Sequence, residues 1–177
     1  MKQLLSLLLC LSIIVPSMAK KEQRKQNVFP DGTPISEWFL QTKVVHPDSL
    51  GKKYDLSDYG IESNPHIVQT QKIQKIIDEA AANGGGVIYI PEGIYKSGSL
   101  FFKQGTHLYL SKGATLLGSE NIMDFPLLMT RIEGEYCKYF GALINADGLD
   151  TFTISGKGTI DGNGTPYWKA FRRRREW

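Results

Sequence analysis

The sequence predicts an all-β fold: the first coils of a right-handed parallel β-helix, behind one N-terminal amphipathic capping helix. Three observations carry this. Between Asn83 and Gly118 lie four short runs rich in β-branched, aromatic or leucine residues: Val87–Ile90, Ser99–Phe102, His107–Leu110 and Thr115–Leu117. Such runs in close succession read as strands. Their connections, Pro91-Glu92-Gly93, Lys103-Gln104-Gly105 and Ser111-Lys112-Gly113, are not the two-residue Asn-Gly or Asp-Gly turns of simple hairpins. They suit corners at which the chain bends and continues. One amphipathic helix precedes the strands, and a stack of coils needs a cap over its open apolar end.

The chain has 177 residues, 41% hydrophobic and 22% charged, enough for one domain with a real core. A net charge of +3 is too small to imply nucleic acid, and no basic helix or aromatic-basic patch appears. Residues 1–19 read as a signal peptide: Lys2, the apolar run Leu4–Val15, and Ser17 and Ala19 placed for cleavage after Ala19. The run is short for a membrane span; an uncleaved helix or lipidation of Cys10 is the rival reading. Cleavage removes Lys2 and lowers the charge from +3 to +2. It also leaves Cys137 as the lone cysteine, so no internal disulfide can form and packing must hold the exported fold. Cys137 is expected as a buried small hydrophobe.

Residues 20–60 read as a linker, Lys20–Gln26, and an N-terminal arm packing on the body. The arm holds the turn-rich Phe29-Pro30-Asp31-Gly32-Thr33-Pro34 and the pair Trp38-Phe39, expected to bury and staple it. A sugar-stacking role for Trp38 is the alternative. Tyr54–Gly60 reads as a short strand ending at glycine. Residues 61–177 are the cap helix and coils. Asn64 is placed as the helix N-cap and Pro65 as its first residue. Ile67, Thr70, Ile73, Ile76, Ile77, Ala80 and Ala81 form its apolar stripe, and Asn83-Gly84 stops it.

Within the strands, alternation places Ile88, Ile90, Leu100, Phe102, Leu108 and Leu110 inside, with Tyr89, Phe101 and Tyr109 outside. Asn121–Tyr139 reads as an excursion in which Asp124-Phe125-Pro126 and Ile132-Glu133-Gly134 break strand periodicity. Strands resume at Ala142–Asn145, at Thr151–Ser155 and in Gly158–Gly164.

Three stretches carry a family resemblance. Asp58-Tyr59-Gly60 is followed by the helix and Gly84-Gly85-Gly86-Val87-Ile88-Tyr89-Ile90-Pro91-Glu92-Gly93. Gly98-Ser99-Leu100-Phe101-Phe102 leads through Leu108-Tyr109-Leu110 to Gly113-Ala114-Thr115-Leu116-Leu117-Gly118-Ser119. Phe152-Thr153-Ile154-Ser155-Gly156-Lys157-Gly158-Thr159-Ile160-Asp161-Gly162-Asn163-Gly164 precedes Tyr167-Trp168. Together they resemble the N-terminal part of glycoside hydrolase family 28, the polygalacturonases and pectinases. Phe29–Thr33 with Trp38-Phe39 resembles the start of exported Bacteroides-type members.

The resemblance implies an exported enzyme, periplasmic or at the cell surface and monomeric when complete. It implies hydrolysis of bonds beside galacturonic acid in pectin, with inversion and without a cofactor. Inversion needs carboxyls about 6.5–9.5 Å apart, one protonating the leaving oxygen and others activating water. The family's Asn-Thr-Asp, Asp-Asp, Gly-His-Gly and Arg-Ile-Lys motifs do not occur here. His46, His66 and His107 lack glycines on both sides, and Arg131-Ile132-Glu133 ends in the wrong charge. The sequence therefore reads as a partial chain, the cap and first coils without the catalytic coils. No catalytic, substrate-binding or metal residue is assigned, and the fragment alone is expected to be inactive.

Individual residues have plainer readings. Asp161, Asp147 and Asp31 sit beside glycine and read as turn residues bonding nearby backbone N–H groups. Arg172–Arg175 reads as a solvated loop, with an acidic polysaccharide as the functional alternative. Paired Cys or His at metal-binding intervals do not occur, and Gly84-Gly85-Gly86 precedes a strand rather than opening a phosphate-binding helix. Two other classes compete with the hydrolase: a β-helix polysaccharide lyase, and a non-catalytic β-helix adhesin or binding module.

Overall fold

The structure, a computed structural model, describes residues 28–40 and 45–173. These fall in two compact units, one within Met1–Thr42 and one within Lys43–Trp177. The signal peptide, Cys10, Lys20–Gln26, Arg174 and Arg175 lie outside the described residues.

In the first unit Val28 and Pro34 form an isolated antiparallel bridge. It is closed by a turn in which Asp31 Oδ1 accepts from Thr33 N at 2.9 Å. That bond holds the Asp31 carboxyl below its ordinary value. Trp38 and Phe39, in the 3-10 turn Glu37–Leu40, stack on each other with centroids 3.6 Å apart. Trp38 is 63% exposed and Phe39 58%: each ring covers one face of the other and leaves the second open.

The second unit is a ladder of parallel strands wound into coils. β1 (Lys53–Asp55) is followed by a 3-10 turn, Leu56–Tyr59, which ends at Gly60 in the left-handed region, φ 66°. The strand expected over Tyr54–Gly60 is thus only its first part. Asp55 ends it by accepting from Ser57 N at 3.1 Å. β2 (Asn64–Val68) then precedes α1 (Thr70–Ala82). This corrects the expected helix start. The Asn64 side chain accepts from His66 N at 2.8 Å, a local turn that competes with capping. Pro65 is tolerated because β2 is an edge strand. Ile67 therefore leaves the stripe and is exposed, whereas Ile73, Ile76, Ile77 and Ala80 cap the core as expected.

The first coil is β3 (Gly86–Ile90), β4 (Gly93–Ser97) and β5 (Leu100–Phe101). The second is β6 (Thr106–Leu110), β7 (Ala114–Gly118) and, after an excursion, β10 (Ile144–Asn145). The excursion is an antiparallel hairpin, β8 (Leu127–Ile132) and β9 (Glu135–Phe140). The third coil begins with β11 (Ile154–Gly156) and β12 (Thr159–Asp161) and leads to α2 (Thr165–Arg173). Strands stack as β1-β3-β6-β11, β2-β4-β7-β12 and β5-β10, all parallel, in a right-handed β-helix. Among the described residues the hairpin pairs only with itself.

Ile88, Ile90, Leu100, Phe102, Leu108 and Leu110 all lie in the core, as the alternation requires. Outside, the Tyr89 and Tyr109 rings stack at 5.4 Å, and Lys53 Nζ sits 4.6 Å from the Tyr89 centroid. β4 has no counterpart among the expected strands because Lys96 interrupts its apolar pattern. Lys96 is nevertheless buried, paired with Glu120 Oε2 at 2.5 Å. At the third corner Gly156 has φ 107°, and a Cβ there would collide with the Leu110 carbonyl oxygen. That oxygen accepts from Lys157 N at 2.9 Å and Gly158 N at 3.2 Å, so the corner closes against it.

Candidate functional site

The longest departure from the coils supplies the candidate site. After β7, Ser119 Oγ donates to the Asp124 carboxylate, and Asn121 Oδ1 accepts from Met123 N at 3.1 Å. These bonds turn the chain outward, and buried Phe125 anchors the turn. The Ile132-Glu133-Gly134 segment, expected as a strand breaker, is the hairpin's connection. Glu133 and Gly134 both take positive φ, 52° and 94°. This is the handedness a two-residue hairpin turn demands, met here by Glu-Gly rather than Asn-Gly or Asp-Gly.

The register fixes two faces. Leu127, Met129 and Arg131 lie opposite Phe140, Lys138 and Tyr136, and all six are exposed. Leu128, Thr130 and Ile132 lie opposite Tyr139, Cys137 and Glu135 on the other face. Cys137 is therefore half-buried on a hairpin rather than in the core, a correction to its expected burial.

Between the hairpin and the β5–β10 ladder runs an open groove of about 980 Å³. Arg131, Tyr136 and Tyr139 line it from the hairpin; Phe101, Asn145 and Asp147 line it from the coils. Asn145 builds the floor: Nδ2 donates to Leu100 O at 3.1 Å and Ala142 O at 2.7 Å, and Oδ1 accepts from Ala142 N at 3.0 Å. Arg131 Nε donates to Gly134 O at 3.3 Å. Its terminal nitrogens have no partner among the described residues. Such a guanidinium can pair with a carboxylate in bidentate fashion, and rings such as Tyr136 offer apolar faces for sugar C–H groups.

Except for Asp147, the other candidates lie apart from the groove or do structural work. Asp161 Oδ1 accepts from Asn163 N at 2.8 Å, as its turn reading requires. Asp147 precedes Gly148, φ 63°, and lines the groove, but its carboxylate has no partner among the described residues. Its spacing from glycine signals only the turn. Arg172 and Arg173 are not in a loop; they occupy the last turn of α2, where cations suit the helix dipole. α2 is held by Tyr167, whose hydroxyl donates to Ser119 O at 2.6 Å. His107 is half-buried with Nδ1 unpaired, and burial pushes its pKa down. No group of three or more His, Cys, Asp or Glu is placed to hold a metal among the described residues. No helix among them is long and apolar enough to cross a membrane.

No protein-family model matches the chain. Individual relatives do. The chain is 34% identical over 152 residues to the exo-poly-alpha-D-galacturonosidase of Dickeya chrysanthemi, covering 81% of this chain and 24% of that protein. It is 37% identical over 129 residues to plasmin and fibronectin-binding protein A of Streptococcus pneumoniae, covering 71% and 17%. Among solved structures it resembles the family 28 exopolygalacturonase of Yersinia enterocolitica, with a TM-score of 0.56 and 33% identity over 63% of this chain and 21% of that one. The resemblance to glycoside hydrolase family 28 thus holds in both sequence and structure. The chain spans about a quarter or less of the curated relatives it matches.

Proposed function

We propose that this chain forms the capped first coils of an exported family 28 glycoside hydrolase. Its substrate is pectin, and it hydrolyses the bonds beside galacturonic acid with inversion. The observation that carries the reading is its identity to a galacturonosidase across a chain that winds as the Yersinia exopolygalacturonase does. The coils provide a rigid platform, and the groove beside the hairpin offers a cation, aromatic faces and a free carboxylate to a sugar chain. The paired acids that inversion needs are assigned to coils outside these 177 residues, so the chain alone is inactive.

The test uses the longer polypeptide that carries this chain, supplied with polygalacturonate. Release of reducing ends without absorbance from a new double bond, unaffected by chelator, supports hydrolysis. Ultraviolet-absorbing product lost on adding chelator would replace it with the lyase reading. Turnover by the isolated 177-residue chain would overturn the assignment of the acids to other coils.

A second reading, a binding module without catalysis, is favoured by the pneumococcal relative. It predicts pectin or host-protein binding with no release of reducing ends.

A further inference from the structure

We propose that the exposed face of the β8–β9 hairpin is a subsite that reads the carboxylate of an acidic sugar. Arg131 and Lys138 contact the acid, and Tyr136 stacks on the ring. The uronate as ligand rests on the function proposed above; the subsite itself rests on the hairpin.

The coils do not need this hairpin for their register. Leu100 pairs with Ile144 across it as regularly as Ile88 pairs with Leu108 without it. The hairpin joins no other sheet among the described residues, and an isolated two-stranded ribbon is marginal in water. Yet it holds Tyr136 at 78% exposure and Met129 at 65%, surface that gains nothing from the fold.

The charge on this face is one-sided. Both hairpin cations, Arg131 and Lys138, share it, whereas Glu135 lies on the opposite face and Glu133 in the turn. Arg131 stands directly across from Tyr136, close enough for one sugar residue to meet both. The Nε bond to Gly134 O ties the guanidinium to its own turn and leaves its outer edge free. Across the groove, Asp147 repels a carboxylate and accepts from hydroxyls. A uronate is thereby oriented, acid towards Arg131 and hydroxyls towards Asp147. Neutral sugars keep the stacking and lose the ion pair. Anionic lipid surfaces share the charge preference but not the need for a ring opposite the guanidinium.

The test is calorimetric binding of galacturonate oligomers and their methyl esters to the 177-residue chain. Arg131→Ala is expected to weaken the acid oligomer by about tenfold and leave the ester unchanged. Arg131→Lys is expected to recover part of the loss, because the charge survives and the fork does not. Tyr136→Ala weakens both ligands, and Lys112→Ala, on a distant corner, weakens neither. Equal binding of acid and ester by the unaltered chain overturns the proposal. So does tighter binding to phosphatidylglycerol vesicles than to oligomers, or undiminished acid binding in folded Arg131→Ala. Selective binding by this chain without hydrolysis by the longer polypeptide keeps the subsite and discards the hydrolase. Hydrolysis with an unchanged KM in Arg131→Ala does the reverse.

Discussion

The side-chain amide of Gln74 closes two hydrogen bonds with the backbone of Phe101: Oε1 accepts from its N–H at 2.8 Å, and Nε2 donates to its carbonyl at 2.9 Å. One glutamine on α1 thus does for β5 what a neighbouring strand does elsewhere in the ladder. Gln74→Leu keeps the bulk but strands both backbone groups at a half-buried site. It is expected to cost about 1–3 kcal/mol in chemical denaturation. A loss no greater than that of an exposed α1 substitution such as Lys75→Leu would refute the bracing role.

The Lys96–Glu120 pair predicts a pH dependence. The hydrogen bond from Lys96 holds the Glu120 carboxyl below its ordinary value of 4.5. A depressed folded-state pKa contributes stability above the unfolded value and loses it as pH falls through the folded one. Glu120→Gln should therefore lower Tm at pH 7, and the gap to the unaltered chain should narrow as pH falls from 4.5 through the lowered folded value. Lys96→Met, which removes the buried charge itself, should be milder. A gap that does not narrow as pH falls below 4.5 contradicts the pair's contribution.

Gly156→Ala combines a positive φ with a collision against the Leu110 carbonyl. The strain alone is of order 1–3 kcal/mol. The loss should appear as early hydrogen exchange in β11 and β12, with α1 and β3 still protected. Uniform loss of protection would mean that the corner is not local to the third coil.

At the hairpin tip the left-handed Glu133 is the strained residue, and asparagine tolerates that conformation better. Glu133→Asn should raise the protection of β8 and β9 amides, whereas Glu133→Pro should abolish it. Neither should move global Tm much, since the hairpin shares no ladder with the coils.

What the sequence disclosed follows what each signal measures. Alternation reports the difference between inside and outside, so Ile88, Ile90, Leu100, Leu108 and the rest were legible as core. Lys96 defeats that signal because a buried lysine looks polar in sequence, and β4 was hidden with it. Asn64-Pro65 has the composition of a helix start, and the chain spends it on an edge strand. The groove was illegible for another reason. Arg131 and Asp147 stand 16 residues apart in the sequence, with no motif relating them; a hairpin and a corner bring them to one space.

The stacking register also sets an order of assembly. Gly86 meets Thr106 after 20 residues of chain, whereas Leu108 meets Ile154 after 46, because the hairpin lies between. Closing the longer span costs about 0.7 kcal/mol more in chain entropy. The upper pairing can also form as soon as the shorter segment leaves the ribosome. Contact order therefore rises along the axis, and folding should run one way, from the helix outward, each finished coil serving as the template for the next.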